Sequence, residues 1–211
     1  MGRYLGPQCR YCRTEKIQLF LKGERCKGPK CAITKKRGAP GKGPRSRMRK
    51  ISDYGLQLRE KQKLKRMYGM RENQFKRFFD KASRMKGITG DNLIQLLERR
   101  LDNIVYRMRF STSRKNARQL VLHGHILVNN KRVNIPSYLI RENDKIEVQK
   151  KSKKLIMIKE SLKEYSRSGA VQWLEVNPDD ISGMVKTIPS RNDVIDLSNI
   201  REQLIVELYS K

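Results

Sequence analysis

The residue types best placed to do chemistry are four cysteines, Cys9, Cys12, Cys26 and Cys31, the only ones in the 211-residue chain. Their spacing, Cys9-x2-Cys12-x13-Cys26-x4-Cys31, makes two close pairs joined by a loop. Such pairs suit one tetrahedral ion held by thiolates at about 2.3 Å. Gly6-Pro7 before the first pair and Gly28-Pro29 inside the second supply turn chemistry for the knuckles. Neighbouring Arg and Lys side chains favour the thiolate state. Paired spacing argues against unconnected free cysteines. A reducing compartment, expected because MGRYLGPQCRYC has no apolar signal segment, argues against disulfides. One structural zinc ion is the expectation, with an iron–sulfur cluster as the alternative, since four thiolates hold either. Ile17, Leu19, Phe20 and Leu21 are too few apolar residues to bury a core alone, which makes such a metal structural.

The charge around this cluster points to a polyanion. Lys and Arg total 49 against 21 Asp and Glu, a net charge of +28. The excess is +14 over residues 1–50, +7 over 51–100, +6 over 101–150 and +1 over 151–211. Nucleic acid is the commonest partner for such a balance. No apolar run reaches the roughly eighteen residues needed to span a bilayer, so no membrane partner is expected. There is no Gly-rich phosphate loop, nucleophile elbow or spaced acid–base pair, so neither an enzyme nor a small-molecule substrate is expected. A zinc-dependent DNA-binding regulator would need a base-reading helix, whereas the basic helices here read as broad phosphate faces.

Around these groups the expected elements are mostly helical. TKKRGAPGKGPRSRMRK, residues 34–50, is a basic, Gly- and Pro-broken arm without acids, suited to ordering on a phosphate backbone. Ser52 N-caps a helix that ends at Gly69, with Leu56, Leu64 and Met67 as core contacts and Lys61, Lys63, Lys65 and Arg66 facing solvent or RNA. A second helix spans about 72–85, with Phe75, Phe78 and Phe79 on one side and Lys86-Gly87 as its close. A third starts at Thr89 and carries apolar residues at helical spacing through Met108. Ser113 caps a short helix ending before Gly124; strands then turn at Asn129-Asn130 and at Asn143-Asp144. Trp173 reads as core, and Asp179-Asp180 as a cap for the turn at Ile181. One of His123 and His125 supports the helix C-terminus and the other lies near RNA.

The stretch ERRLDNIVYRMRFSTSRKNARQLVLHGHILVNNKRVNIPSYLI resembles the RNA-binding module named after small ribosomal subunit protein four. SDYGLQLREKQKLKRMYG, the MGRYLGP start, the four cysteines and the ending REQLIVELYSK extend the resemblance to that bacterial-type family over essentially the whole chain, in its four-cysteine form. ENDKIEV departs from the usual Pro-Gly-Asp turn. The resemblance implies an α+β fold: an N-terminal metal knuckle and helical domain, with a small α/β RNA-binding module inserted. The expected divisions are a cysteine knuckle and basic arm over 1–44 and a helical rRNA-binding domain over 45–97. The module follows over 98–161, and a segment over 162–211 returns to the helical domain.

The resemblance further implies a cytoplasmic protein of the small ribosomal subunit that binds small-subunit rRNA and nucleates assembly of the subunit body. It implies contact with ribosomal protein five and, with proteins five and twelve, support of translational accuracy. It places the arm near the path by which mRNA enters. An alternative is a translational autoregulator acting on its own mRNA. RNA contacts are expected from Arg45, Arg47, Arg49 and Lys50 in the arm and from Arg59, Lys61, Lys63 and Lys65 on the first helix. The module's expected contacts are Arg99, Arg107, Arg114, Lys115, Arg118 and Lys131. With one Trp and five Phe, aromatic stacking is not the main mode; phosphate, shape and 2′-hydroxyl contacts are.

Overall fold

The structure, a computed structural model, describes residues 4–41, 50–168 and 171–210, without the side chains of 164–168. It divides into two compact units, Met1–Gly90 with Leu197–Lys211, and Asp91–Asp196.

In the first unit, two short helices carry the cysteines, α1 (Cys9–Glu15) and α2 (Glu24–Lys27). α3 (Asp53–Met67) starts where Ser52 Oγ accepts the Gly55 N–H at 3.2 Å. It stops where Gly69 takes φ +62°, a left-handed conformation that glycine adopts without a Cβ penalty. Leu64 and Met67 are buried as expected, but Leu56 is 45% exposed and is not a core contact. After α4 (Glu72–Ser83), Gly87 at φ +103° closes the turn. α9 (Glu202–Tyr209), from the far end of the chain, packs along α3. Gln57 Nε2 donates to Glu207 Oε2 at 2.9 Å, and the Arg201 N–H donates to Glu60 at 3.3 Å. The Tyr209 ring stacks on Phe79 at 4.5 Å between centroids, and its hydroxyl donates to Glu72 at 3.0 Å.

The second unit corrects the expectation of one long third helix. It is broken into α5 (Thr89–Glu98), whose first turn straddles the division between the units, and α6 (Leu101–Arg107). Between them Arg100 is extended, with ψ +136°. The reason is competition for the backbone. The Leu101 N–H goes to Tyr138 O at 2.9 Å, the Asp102 N–H to Pro136 O at 3.1 Å, and the Ile140 N–H to Arg99 O at 2.9 Å. These strand-like bonds satisfy the groups a continuous helix would have paired.

α7 (Arg114–Leu122) is capped by Ser113 Oγ on the Asn116 N–H and ends at Gly124, φ +71°. Asn129 and Asn130, both at positive φ, join β1 (Ile126–Val128) to β2 (Lys131–Arg132). β3 (Lys145–Val148) follows the Asn143 turn, and α8 (Ile156–Ser168) then leads on to β4 (Leu174–Asn177) and β5 (Ser182–Val185). The sheet order is β2-β1-β3-β5-β4, antiparallel throughout. Inward Ile126, Val128, Ile146 and Val148 alternate with outward Lys145 and Glu147. They pack with Leu101, Ile104 and Val105 of α6, Leu120 and Val121 of α7, and Trp173.

Two boundaries are thereby corrected. The module does not end at 161, because β4 and β5 complete its sheet through residue 185. The segment read as a single piece over 162–211 divides, with only Leu197–Lys211 belonging to the helical unit. At the β4–β5 turn the side chain that caps the backbone is Asn177, whose Oδ1 takes the N–H groups of Asp179 and Asp180 while its Nδ2 donates to Asp180 Oδ2 at 3.3 Å.

Candidate nucleic-acid interface

The cysteine region is built by α1, α2 and the turns after them. Cys12, Cys26 and Cys31 are buried and Cys9 is half-buried, all as free thiols. Burial pushes the Cys12 and Cys26 thiols up and outweighs a backbone hydrogen bond from Leu19 at Cys12 and the backbone and charge of Lys22 at Cys26. Cys31 is held below the ordinary thiol value. Burial opposes this, but N–H groups of Thr34 and Ile33 and the side chains of Thr34 and Gln18 donate to its sulfur. The Lys22 N–H similarly reaches Cys26 Sγ at 3.3 Å. The other three sulfurs, of Cys26, Cys9 and Cys31, add to the rise at Cys12. Soft sulfur donors with N–H···S support suit zinc or an iron–sulfur cluster by type. Among the described residues, however, no three potential ligands converge into a metal-holding group.

The basic face expected on α3 is largely turned to internal use. Lys61, read as solvent- or RNA-facing, is only 8% exposed. It and Lys65 pair with Glu72, at 2.5 and 2.7 Å. Burial pushes the Glu72 carboxyl up, but these ammoniums and the Tyr209 hydroxyl hold it down at about 2. Lys63 pairs with Glu60. Arg59, at 3.2 Å, and Arg66 both pair with Glu15, whose side chain is fully buried.

The module repeats this pattern more deeply. Arg107 grips Glu98 with Nε and Nη2 at 2.9 and 2.8 Å and reaches Asp196 with Nη1 at 2.6 Å. Arg114 donates to Asn103 at 2.8 Å and lies 4.6 Å over the Tyr106 ring. Arg118, also buried, pairs with Asp102 at 3.3 Å. Arg100, which is 0% exposed, meets the same Asp102 with two bonds at 3.0 and 2.7 Å. Arg99 is half-buried and donates to Ile140 O at 2.9 Å. A buried guanidinium must be paired, so these charges are committed to the fold.

What remains for a polyanion is a smaller exposed set. Of the expected residues, Lys50, Lys115 and Lys131 are exposed. Arg45, Arg47 and Arg49 lie outside the described residues. Arg132, which the sequence sets beside Lys131 on the basic face of the hairpin, is exposed as well, whereas reading the sequence missed exposed Lys150, Lys151 and Lys154 in the second unit. It also missed Arg77, Lys81 and Arg84, which line an open cleft with Asp80 and Met85 along α4. Their i, i+4, i+7 spacing was the available signal. The histidines do not share one role. His123 accepts from Arg132 Nη2 through its carbonyl at 3.1 Å, whereas the His125 ring meets Ser152 Oγ at 2.8 Å.

Comparison with known proteins identifies the family. Family models match twice: the ribosomal protein S4/S9 N-terminal domain over residues 3–98, and the S4 domain over 99–146. The small ribosomal subunit protein uS4 of Citrifermentans bemidjiense is 54% identical over 211 residues, the whole of both chains. The proteins of that name from Geobacter sulfurreducens and Thermodesulfovibrio yellowstonii are 53% and 52% identical, again over the full length of both chains. Two family models in tandem, and relatives more than half identical from end to end, place this chain in the uS4 family of small ribosomal subunit proteins.

Proposed function

We propose that this chain is a primary binder of small-subunit rRNA that nucleates assembly of the subunit body, contacts ribosomal protein five, and with proteins five and twelve supports translational accuracy. The coarse part follows from membership: the family is one of structural proteins of the small ribosomal subunit, not of enzymes. The observation that carries the finer part is full-length similarity to relatives named as small-subunit proteins. Exposed Lys115, Lys131 and Arg132 in the second unit and the α4 row support phosphate contact. The arm, with Arg45 to Lys50, would reach incoming mRNA. Cys9, Cys12, Cys26 and Cys31 would hold one zinc ion, which supplies cross-linking in place of an apolar core.

The test compares affinities of the full chain for folded small-subunit rRNA and for duplex DNA of equal charge at matched salt. The rRNA is expected to bind at least a hundredfold more tightly, because its shape and 2′-hydroxyls are read as well as its phosphates. Equal affinity for the two would reduce the chain to a nonspecific polycation and overturn the reading.

A further inference from the structure

The first unit contains a three-layer stack of a guanidinium and two tyrosine rings. At its base, Arg66 is held by the buried Glu15 carboxylate, which also holds Arg59. The Arg66 guanidinium lies 4.5 Å from the centroid of the Tyr11 ring. Tyr4 covers Tyr11 in turn, with ring centroids 4.5 Å apart and planes tilted by 40°. Tyr4 is 40% exposed, so the stack ends at the surface on an aromatic ring. Gly6 makes room for it. A Cβ at that position would lie 2.4 Å from Tyr4 Oη and would push the ring from its place.

We propose that Tyr4 is a stacking platform for an unpaired rRNA nucleobase, prolonging the Arg66–Tyr11–Tyr4 column by one layer. This rests on the rRNA-binding reading above and names a specific contact within it. Three observations favour a base over other occupants. A guanidinium beneath the rings polarises them toward a further π-partner, and any nucleobase presents a π-face. The surroundings are cationic: Arg10 is exposed beside Tyr11, and Glu15, the nearest acid in sequence, is buried between two arginines. The column is also pre-set. Glu15 fixes Arg66 and Gly6 admits Tyr4, so little side-chain freedom remains to be lost when a base arrives. The outermost tyrosine keeps 40% of its surface exposed and within reach of a partner.

The experiment measures binding of the full chain to folded small-subunit rRNA across a salt series for wild type, Tyr4→Ala, Tyr4→Phe and Tyr4→Trp. Ultraviolet cross-linking of the wild-type complex is read by mass spectrometry. Tyr4→Ala is expected to weaken binding about tenfold without changing the slope of log affinity against log salt, because the variant removes a stacking surface and leaves the phosphate-binding cations in place. Tyr4→Phe and Tyr4→Trp are expected to stay within about threefold of wild type, and a nucleobase is expected on the Tyr4 peptide. Equal binding by Tyr4→Ala would overturn the proposal. So would a loss that neither Phe nor Trp rescues and that comes with newly reactive Cys12 and Cys26 thiols, which would make Tyr4 a structural lid. A Tyr4→Ala chain that binds rRNA normally but fails to take up a neighbouring ribosomal protein would assign the ring to a protein partner and overturn it too. If wild type itself failed to bind rRNA, the parent reading would fall, a result distinct from each of these.

Discussion

Asp102→Ala is expected to destabilise the second unit by about 3–5 kcal/mol, the cost of removing one partner from a buried ion pair. The carboxylate sits between Arg100, which is 0% exposed, and Arg118, which is buried. It accepts two hydrogen bonds from Arg100 and one from Arg118. In its absence, the counter-charge linking the α5–α6 break to α7 is gone while both guanidiniums stay in the interior. Asp102→Asn keeps the shape and part of the hydrogen bonding, so its cost should fall between wild type and Asp102→Ala. Chemical denaturation with a probe on Trp173, which belongs to the same core, reads the unit directly. A lower midpoint at unchanged slope is expected. A loss below about 1 kcal/mol would mean that this pair contributes no more than a surface salt bridge.

The second large effect is expected at the cysteines. The full chain, purified anaerobically, should carry one equivalent of zinc without visible absorbance. Cys12→Ser and Cys26→Ser should each lose it, with the thiols of the remaining cysteines becoming reactive. Metal binding in such sites is folding free energy, on the order of 10 kcal/mol. Leu19 is the only residue of the expected apolar group near the cysteines that is fully buried, so little else could replace it. The lowered Cys31 thiol and the N–H donors on Cys26 and Cys31 prepare the sulfurs for a cation. Iron with a broad visible band would replace zinc by a cluster. Absence of both metals would leave the four thiols, three of them buried, unmetallated and exclude a metal from the first unit.

The parts of this fold that were legible in the sequence were those fixed by local chemistry. Ser52 and Gly69 bound α3, Ser113 and Gly124 bound α7, and Asn129-Asn130 sets a hairpin, because caps and positive-φ turns are properties of a few adjacent residues. The break at Arg100 was not legible, since its cause is the distant segment Pro136–Ile140 capturing the backbone. Strands β4 and β5 were missed as sheet partners for a similar reason: β5 takes its register against the distant β3, with Lys145 opposite Met184, and β4 takes its own against β5. The candidate site suffered most. A Lys or Arg on a helix face reads as solvent-directed until its counter-charge is known. For Arg118 that partner lies 16 residues away, and for Arg107 one partner lies 89 residues away. Charge counting thus found the right kind of ligand and overassigned the residues that meet it, placing Lys61, Arg107 and Arg118 outside when they are inside. The missed Arg77, Lys81 and Arg84 had a visible helical spacing, obscured by the Phe75, Phe78 and Phe79 pattern on the same helix.

The cations of this chain thus fall into a set committed to the fold and a set left for rRNA, and the salt dependence of rRNA binding separates the two. The full chain is titrated with folded small-subunit rRNA over a salt series, alongside a Lys115→Ala, Lys131→Ala double variant and a Lys61→Met variant, each checked for folding. Removing one phosphate-binding cation should reduce the slope of log affinity against log salt by about 0.7–0.9. The double variant is therefore expected to show a slope about 1.5 units shallower, and Lys61→Met the wild-type slope. A double variant with the wild-type slope, or a Lys61→Met chain with a shallower one, would contradict this division of charge.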